Sequence, residues 1–280
     1  MKNLGYYNGK IDLIENMTVP MCDRAGYFGD GIYDATYSRN HIIYALDEHI
    51  ERFYNSARMV GIEVPMSREE LSALLCELVK QVDDGEQFVY WQMTRGTALR
   101  NHAFPDVAPN LWIMLKPASV KNTYEPVKLI TMEDTRFLHC NIKTLNLLPN
   151  VLAAQRAEEA GAHETVFHRG DRVTECAHSN VHIIKAGTFI TPPTDNLILP
   201  GIARAHLLRT ARALGYATQE RPFTLGELMD ADEVIISSAG SFCIPASHID
   251  GTPVGGKAPE MLKVLQDALV EDWLSKTEMK

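Results

Sequence analysis

Cysteine is scarce in this chain. Five occur in 280 residues, Cys22, Cys76, Cys140, Cys176 and Cys243, and no two form a C-x-x-C pair. An odd, scattered set excludes a disulfide scaffold and predicts a reduced, cytoplasmic protein. Positive charge is also short: 27 Lys and Arg stand against 36 Asp and Glu, for a net charge of −9. That argues against a nucleic-acid partner, whose binding surface would be basic, but it leaves room for a local basic pocket facing a small anion. No apolar run is long enough to span a bilayer, and Met1-Lys2-Asn3-Leu4-Gly5 leads into no apolar signal-peptide core, so no membrane partner is expected. The chain has no G-x-S-x-G, no Walker loop and no H-E-x-x-H. Cys176, His178 and His182 are metal-ligand types in a short span, yet no second pair lies near them, so no metal is expected. Internal repeats and low-complexity stretches are absent.

What remains is an ordinary globular composition, 45% hydrophobic and 22% charged. The length suits two compact domains or one large one. Asn8-Gly9, between Tyr6-Tyr7 and Lys10-Ile11, predicts a hairpin with a type I′ turn, in which both central residues need positive φ. A second hairpin is expected from residues 32–38 and 41–45 around Arg39-Asn40. Helices are expected over residues 48–60, ended by Gly61, and after Ser67-Arg68-Glu69-Glu70, a capping box followed by Leu71, Leu74, Leu75, Leu78 and Val79 at helical spacing. Strands follow at 88–93 and 111–115. Residues 117–126 are polar, proline-bearing and aperiodic, which places a boundary there. The expected division is a smaller N-terminal α+β domain at 1–118, a linker at 119–126 and a larger C-terminal α+β domain at 127–280 that carries Lys143. Its strands are expected at 127–132, 164–168, 172–175, 181–184, 188–191 and 234–237, and its helices at 149–160, 202–214 and 259–274. Strands and helices mix without regular βαβ alternation, so the fold class is α+β.

Lys143 sits in Cys140-Asn141-Ile142-Lys143-Thr144-Leu145-Asn146, with Leu147 and Leu148 beyond. Apolar neighbours desolvate an amine, lower its pKa and make it a usable nucleophile and base; the bland alternative is a surface lysine. Glu175 closes a short strand ahead of Ser179 and Asn180, and is either a strand-end carboxylate or a counter-ion for a pyridine nitrogen. Leu199-Pro200-Gly201-Ile202-Ala203 enters a helix whose first N–H groups suit a phosphate, as every helix start does. The small-residue turn Ser237-Ser238-Ala239-Gly240-Ser241 is of the same kind. Arg52 is either a solvated helix-face arginine or a phosphate partner. Arg100 and His102, two apart, point the same way in extended chain and can grip a carboxylate, although a basic surface loop explains the spacing as well. An amine, an acid and anion-binding groups together are what a pyridoxal 5′-phosphate site requires.

Taken in chain order, five segments resemble the fold-type IV pyridoxal phosphate enzymes. They are Gly29-Asp30-Gly31-Ile32-Tyr33, Glu48-His49-Ile50-Glu51-Arg52, Ile142-Lys143-Thr144-Leu145-Asn146, Thr174-Glu175 with Ser179-Asn180, and Ile198-Leu199-Pro200-Gly201-Ile202. The resemblance covers nearly the whole chain, and within the family it is closest to the D-amino acid aminotransferases. It implies a two-domain fold and pyridoxal phosphate as cofactor. Lys143 is similar to the Schiff-base lysine, Glu175 to the pyridinium partner and Arg52 to the phosphate arginine. Ile202 and Ala203 would offer backbone N–H groups, Leu199 would pack on the ring, and Ser179, Asn180 and Gly240 would complete the cofactor shell. Tyr33, Arg100 and His102 look like the trap for the substrate α-carboxylate, with Arg100 and His102 reaching in from the neighbouring subunit of a homodimer. The implied reaction moves an amino group between a D-amino acid and a 2-oxo acid; its rivals are a branched-chain L-amino acid aminotransferase, an aminodeoxychorismate lyase and a non-catalytic cofactor-binding protein. The chain departs from close relatives at Ala177-His178, which replace serines, at Ala203, which replaces a threonine, at Ala239-Gly240, which replace hydroxyl residues, and at Asp34, which replaces a glutamate.

Overall fold

The computed structural model describes residues 1–279 and forms two compact units. The first holds Met1–Val120, Ile142–Asn146 and the chain from Leu274. Its elements are β1 (Leu4–Tyr7), β2 (Lys10–Asp12), α1 (Arg24–Phe28), β3 (Gly31–Arg39), β4 (Ile42–Ile43), α2 (Leu46–Met59), α3 (Arg68–Leu78), β5 (Gln87–Thr94) and β6 (Asn110–Pro117). The strands make one antiparallel sheet in the order β2-β1-β6-β5-β3-β4. Asn8 (φ 46°) and Gly9 (φ 95°) form the expected tight turn between β1 and β2. The second hairpin turns on Asn40 and His41, both at positive φ, one residue later than the expected Arg39-Asn40. β3 alternates: Ile32, Asp34, Thr36 and Ser38 are buried, while Tyr33 and Tyr37 face the other side. The buried face of the sheet packs with Ile50, Phe53 and Ala57 of α2 and Leu71, Leu75 and Leu78 of α3 around Trp91. Ser67 and Glu70 make the capping box that starts α3.

The expected division placed Lys143 in the C-terminal domain, whereas Ile142–Asn146 belongs to the first unit. The reason is backbone pairing. Thr144 bridges Ile32, Tyr33 N–H donates to Lys143 O at 2.9 Å, and Leu145 N–H donates to Gly31 O at 3.0 Å, so this short segment runs as an extra edge beside β3.

The second unit holds Lys121–Asn141 and Leu147–Trp273. It comprises β7 (Val127–Glu133), α4 (Leu148–Glu159), β8 (Glu164–Arg169), β9 (Arg172–Cys176), β10 (Asn180–Lys185), β11 (Thr188–Thr191), α5 (Ile202–Ala213), β12 (Ala217–Glu220), α6 (Leu225–Met229), β13 (Glu233–Ser237), β14 (Ile244–Ile249), β15 (Thr252–Pro253) and α7 (Pro259–Lys276) as far as Trp273. Its sheet runs β12-β11-β10-β13-β14-β7-β8-β9, with β15 on β14. Parallel pairs (β11 with β12, β14 with β7, β7 with β8) mix with antiparallel ones, so the expected α+β class is observed. Val166, Val173, Val181, Ile183, Val234 and Ile236 line the core. Among the described residues no helix is long and apolar enough to cross a membrane.

Candidate active site

Tyr33, Arg52 and Lys143 come together in the first unit. Helix α2 places His49, Arg52 and Ser56 along one face, at the three- and four-residue spacing that aligns helical side chains. Ser56 Oγ accepts from Lys143 N at 3.3 Å, and Lys143 Nζ lies 4.3 Å from the centroid of the Tyr33 ring. The Tyr33 ring is stacked in turn on Tyr90. Arg52 is fixed from below by Asp34: its Nε donates to Oδ2 at 2.9 Å and its Nη2 to Oδ1 at 2.7 Å. His49 Nδ1 lies 2.7 Å from the same Oδ1. Burial alone would raise the Asp34 pKa, but the Arg52 guanidinium and His49 outweigh it and hold the carboxyl well below its usual range. Burial pushes the His49 imidazole down, and Asp34 partly restores it. An ionised Asp34 makes Nδ1 the nitrogen of neutral His49 that carries the proton.

Arg100 and His102 lie on the exposed loop after β5. Both rest on Phe28 at the end of α1, Arg100 Cζ 5.0 Å and the His102 ring 5.0 Å from its centroid. Their backbone is pinned by Arg24, whose Nη1 donates to Asn101 O at 2.5 Å and whose Nε pairs with Asp30 at 2.7 Å. Arg95, also paired with Asp30, lies 3.5 Å from the Phe104 centroid. The loop is therefore built to hold its arginine and histidine side by side, which two-residue spacing alone did not require.

Glu175, Asn180 and Leu199 come together in the second unit. Glu175 lies near the end of β9 and is buried, and Arg136, Asn180 and Leu199 donate to its carboxylate. Arg136 Nη1 reaches Oε1 at 2.5 Å, while Asn180 Nδ2 and Leu199 N–H both reach Oε2 at 3.0 Å. Asn180 Nδ2 also donates to Leu199 O at 3.0 Å, which ties the loop before α5 to the start of β10. Gly201 makes that closeness possible, because a Cβ there would lie 1.9 Å from Asn180 Oδ1. Gly201 is also the N-cap of α5, and it has no side chain with which to cap the helix. Ile202 and the buried Ala203 open that helix. Gly240 lies in a turn closed by Ser241 N–H to Ser238 O at 3.1 Å, with the two serine hydroxyls 2.6 Å apart. A carboxylate fixed as an acceptor, next to a helix start with no side-chain cap, is the donor and acceptor set that a pyridine nitrogen and a phosphate require.

Ser179 does not turn to that set: its hydroxyl donates to the buried Glu164 at 2.6 Å. His178 N–H donates to the same carboxylate at 2.5 Å and the His178 ring Nδ1 contacts it too. His178 is thus paired with an acid on β8. His182 is spoken for as well, between Thr191 Oγ1 and Ser237 Oγ, and burial takes its pKa down to about 3. Cys176 is buried and its thiol is pushed well up. Sequence reasoning missed Arg136 and Asp134, and assigned no consequence to Asp34. The Asp134-Thr135-Arg136 triplet was a visible signal, but a charged pair reads as solvated surface until the fold buries it.

The amino-transferase class IV family description matches residues 31–249. The D-alanine aminotransferase of Listeria monocytogenes serotype 4b is 41% identical over 265 residues, covering 92% of each chain. That of Bacillus licheniformis is 39% identical over 277 residues, 97% of each. Among solved structures, the Escherichia coli branched-chain amino acid aminotransferase superposes with a TM-score of 0.90 at 21% identity, over 100% of this chain and 97% of that one, a likeness of fold. The T.th. branched-chain enzyme, complexed with N-(5′-phosphopyridoxyl)-L-glutamate, gives 0.88 at 25% identity, over 96% and 94%. The chain belongs to the class IV aminotransferase family.

Proposed function

We propose that this protein is a pyridoxal 5′-phosphate-dependent transaminase that moves an amino group between a D-amino acid, such as D-alanine or D-glutamate, and a 2-oxo acid, such as 2-oxoglutarate or pyruvate. The observation that carries this reading is the identity of 41% and 39% to D-alanine aminotransferases along more than nine-tenths of the chain. The bound cofactor supplies an aldehyde that condenses with amines and a protonated ring that accepts electrons from the substrate α-carbon. In this reading Lys143 Nζ would be the amine that holds the cofactor aldehyde, and the same nitrogen would serve as the base for the substrate α-proton. Glu175 would be the counter-ion for the ring nitrogen, and Leu199 would pack on the ring. Arg52, the N–H groups of Ile202 and Ala203, and the Gly240 turn would hold the phosphate, while Asn180, and Ser179 through its bond to Glu164, would shape the shell around it. Turnover is ping-pong: the first substrate leaves as its 2-oxo acid before the acceptor 2-oxo acid enters.

Tyr33, Arg100 and His102 bind the α-carboxylate. Because one lysine serves one face of the substrate, the position of that carboxylate selects the enantiomer. Arg100 and His102 act in the neighbouring active site of a homodimer. This is supported by their shared seat on Phe28 and by Leu99 beside them, an apolar side chain 81% exposed in the single chain. The five free cysteines fit a cytoplasmic enzyme.

Titrating the holoenzyme separately with D-alanine, L-alanine and L-leucine while following the absorbance of the lysine-bound cofactor tests the reading. Bleaching by the D-enantiomer alone is expected. Bleaching by L-alanine or L-leucine alone would assign the branched-chain chemistry instead, and bleaching by neither would end the transaminase reading.

A further inference from the structure

Arg136 has no place in the roles assigned above, yet it is among the most heavily committed side chains in the second unit. Its side chain is 6% exposed and its Cζ lies 4.7 Å from the Phe167 centroid. Nε and Nη2 donate to the two oxygens of Asp134, each at 2.9 Å, and Nη2 also reaches Leu197 O at 3.2 Å. Nη1 is left pointing at Glu175 Oε1, at 2.5 Å. Asp134 is held in turn by Thr174 Oγ1 at 3.0 Å, by Arg136 N–H at 3.0 Å and by Arg169 Nε at 3.3 Å. Two buried carboxylates therefore share one guanidinium, whose orientation is set by the first and whose remaining edge is presented to the second.

We infer, building on the cofactor reading above, that Arg136 is a positioning residue that keeps Glu175 ionised and aimed, so that the proton between Glu175 and the cofactor ring resides on the ring nitrogen. Two carboxylates buried near each other without a cation disfavour double ionisation, and one of them takes up a proton. A protonated Glu175 is no counter-ion, and a ring facing it stays neutral and is a poorer electron sink. Arg136 prevents this by standing between the two. The planar fork matters as well as the charge, because the paired bonds to Asp134 are what direct Nη1 at Glu175.

The test uses holoenzyme loaded with ring-¹⁵N pyridoxal phosphate in the wild type and in Arg136→Gln, Arg136→Lys and Asp134→Asn, each checked for folding by its thermal melt. The wild type should show a protonated ring nitrogen from about pH 6 to 9. R136Q should show a neutral one, weaker cofactor retention, and a half-reaction with D-alanine slowed by about 10²-fold, the scale of losing one preorganised electrostatic partner. R136K and D134N keep the positive charge and should keep the protonated signal, with kcat lowered and KM nearly unchanged. A protonated nitrogen and wild-type half-reaction in folded R136Q would overturn the assignment of Arg136. Where R136Q does not fold, an unaltered ring signal together with wild-type kcat in folded R136K and D134N does the same. Wild-type protein that takes up no pyridoxal phosphate sinks the functional reading itself, whereas a wild type that binds it normally beside an unaltered R136Q sinks only this inference.

Discussion

Asp34 is fully buried and accepts hydrogen bonds from His49, from two nitrogens of Arg52 and from the backbone of Ala35. With its folded pKa held below the ordinary 3.8, the carboxylate contributes its full stabilisation above that value. The contribution is lost progressively as the pH falls below it, because the unfolded chain then binds a proton that the folded chain refuses. Replacing Asp34 with Asn leaves Arg52 and His49 buried without their anion and should cost about 3–5 kcal/mol in urea unfolding of the apoprotein, with weaker cofactor retention. A loss under about 1 kcal/mol would mean that Asp34 does not organise Arg52. Lys143 is simpler to test. Lys143→Ala should lower transamination by more than the roughly 10²–10⁴-fold that general acid–base catalysis alone supplies, since the covalent anchor goes with the base. Near-normal turnover in that variant would remove Lys143 from the mechanism.

Among the elements, α3 and α5 start in different ways. Ser67 and Glu70 satisfy each other's backbone at the head of α3, so Ser67→Ala should cost about 1 kcal/mol in chemical denaturation and leave activity alone. At the head of α5 no side chain caps the helix, and Gly201 presses on Asn180. Gly201→Ala forces Asn180 away from Glu175 and Leu199. The expected result is cofactor affinity reduced about 10-fold or more and a lowered melting temperature, since buried hydrogen bonds at Asn180 are lost. Unchanged affinity would detach this loop from the cofactor. The α3 start was legible because a capping box is local in sequence, and so was the Asn8-Gly9 turn. β14 was not: Pro245 interrupts it, it lacks alternation, and its parallel partner β7 is more than a hundred residues away. The bond from Arg136 to Glu175 spans 39 residues and joins two strand ends that only the β7-β8-β9 order brings together. The placement of Lys143 with the first unit was illegible for the same reason, since nothing in residues 142–146 announces pairing with Gly31 and Tyr33.

For the whole molecule, the proposed carboxylate site requires two chains. Sedimentation should give about twice the 31.3 kDa of one chain. Arg100→Ala should raise KM for both substrates by about 10- to 100-fold, the 1.5–3 kcal/mol of a charge-assisted hydrogen bond, with apoprotein stability unchanged because Arg100 is exposed. A monomer with full activity would contradict the assignment of Arg100 and His102 to the neighbouring site. The −9 charge does not oppose anionic substrates, because the cations that matter are local: Arg100 and His102 on Phe28, and Arg52 on Asp34. Everything then rests on a covalent link between one amine and the cofactor. Reducing the holoenzyme with borohydride, digesting it and sequencing the pyridoxyl-bearing peptide reads that link directly. The label is expected on Lys143 in Ile142-Lys143-Thr144-Leu145-Asn146; a label on any other lysine, or none at all, would contradict the assignment.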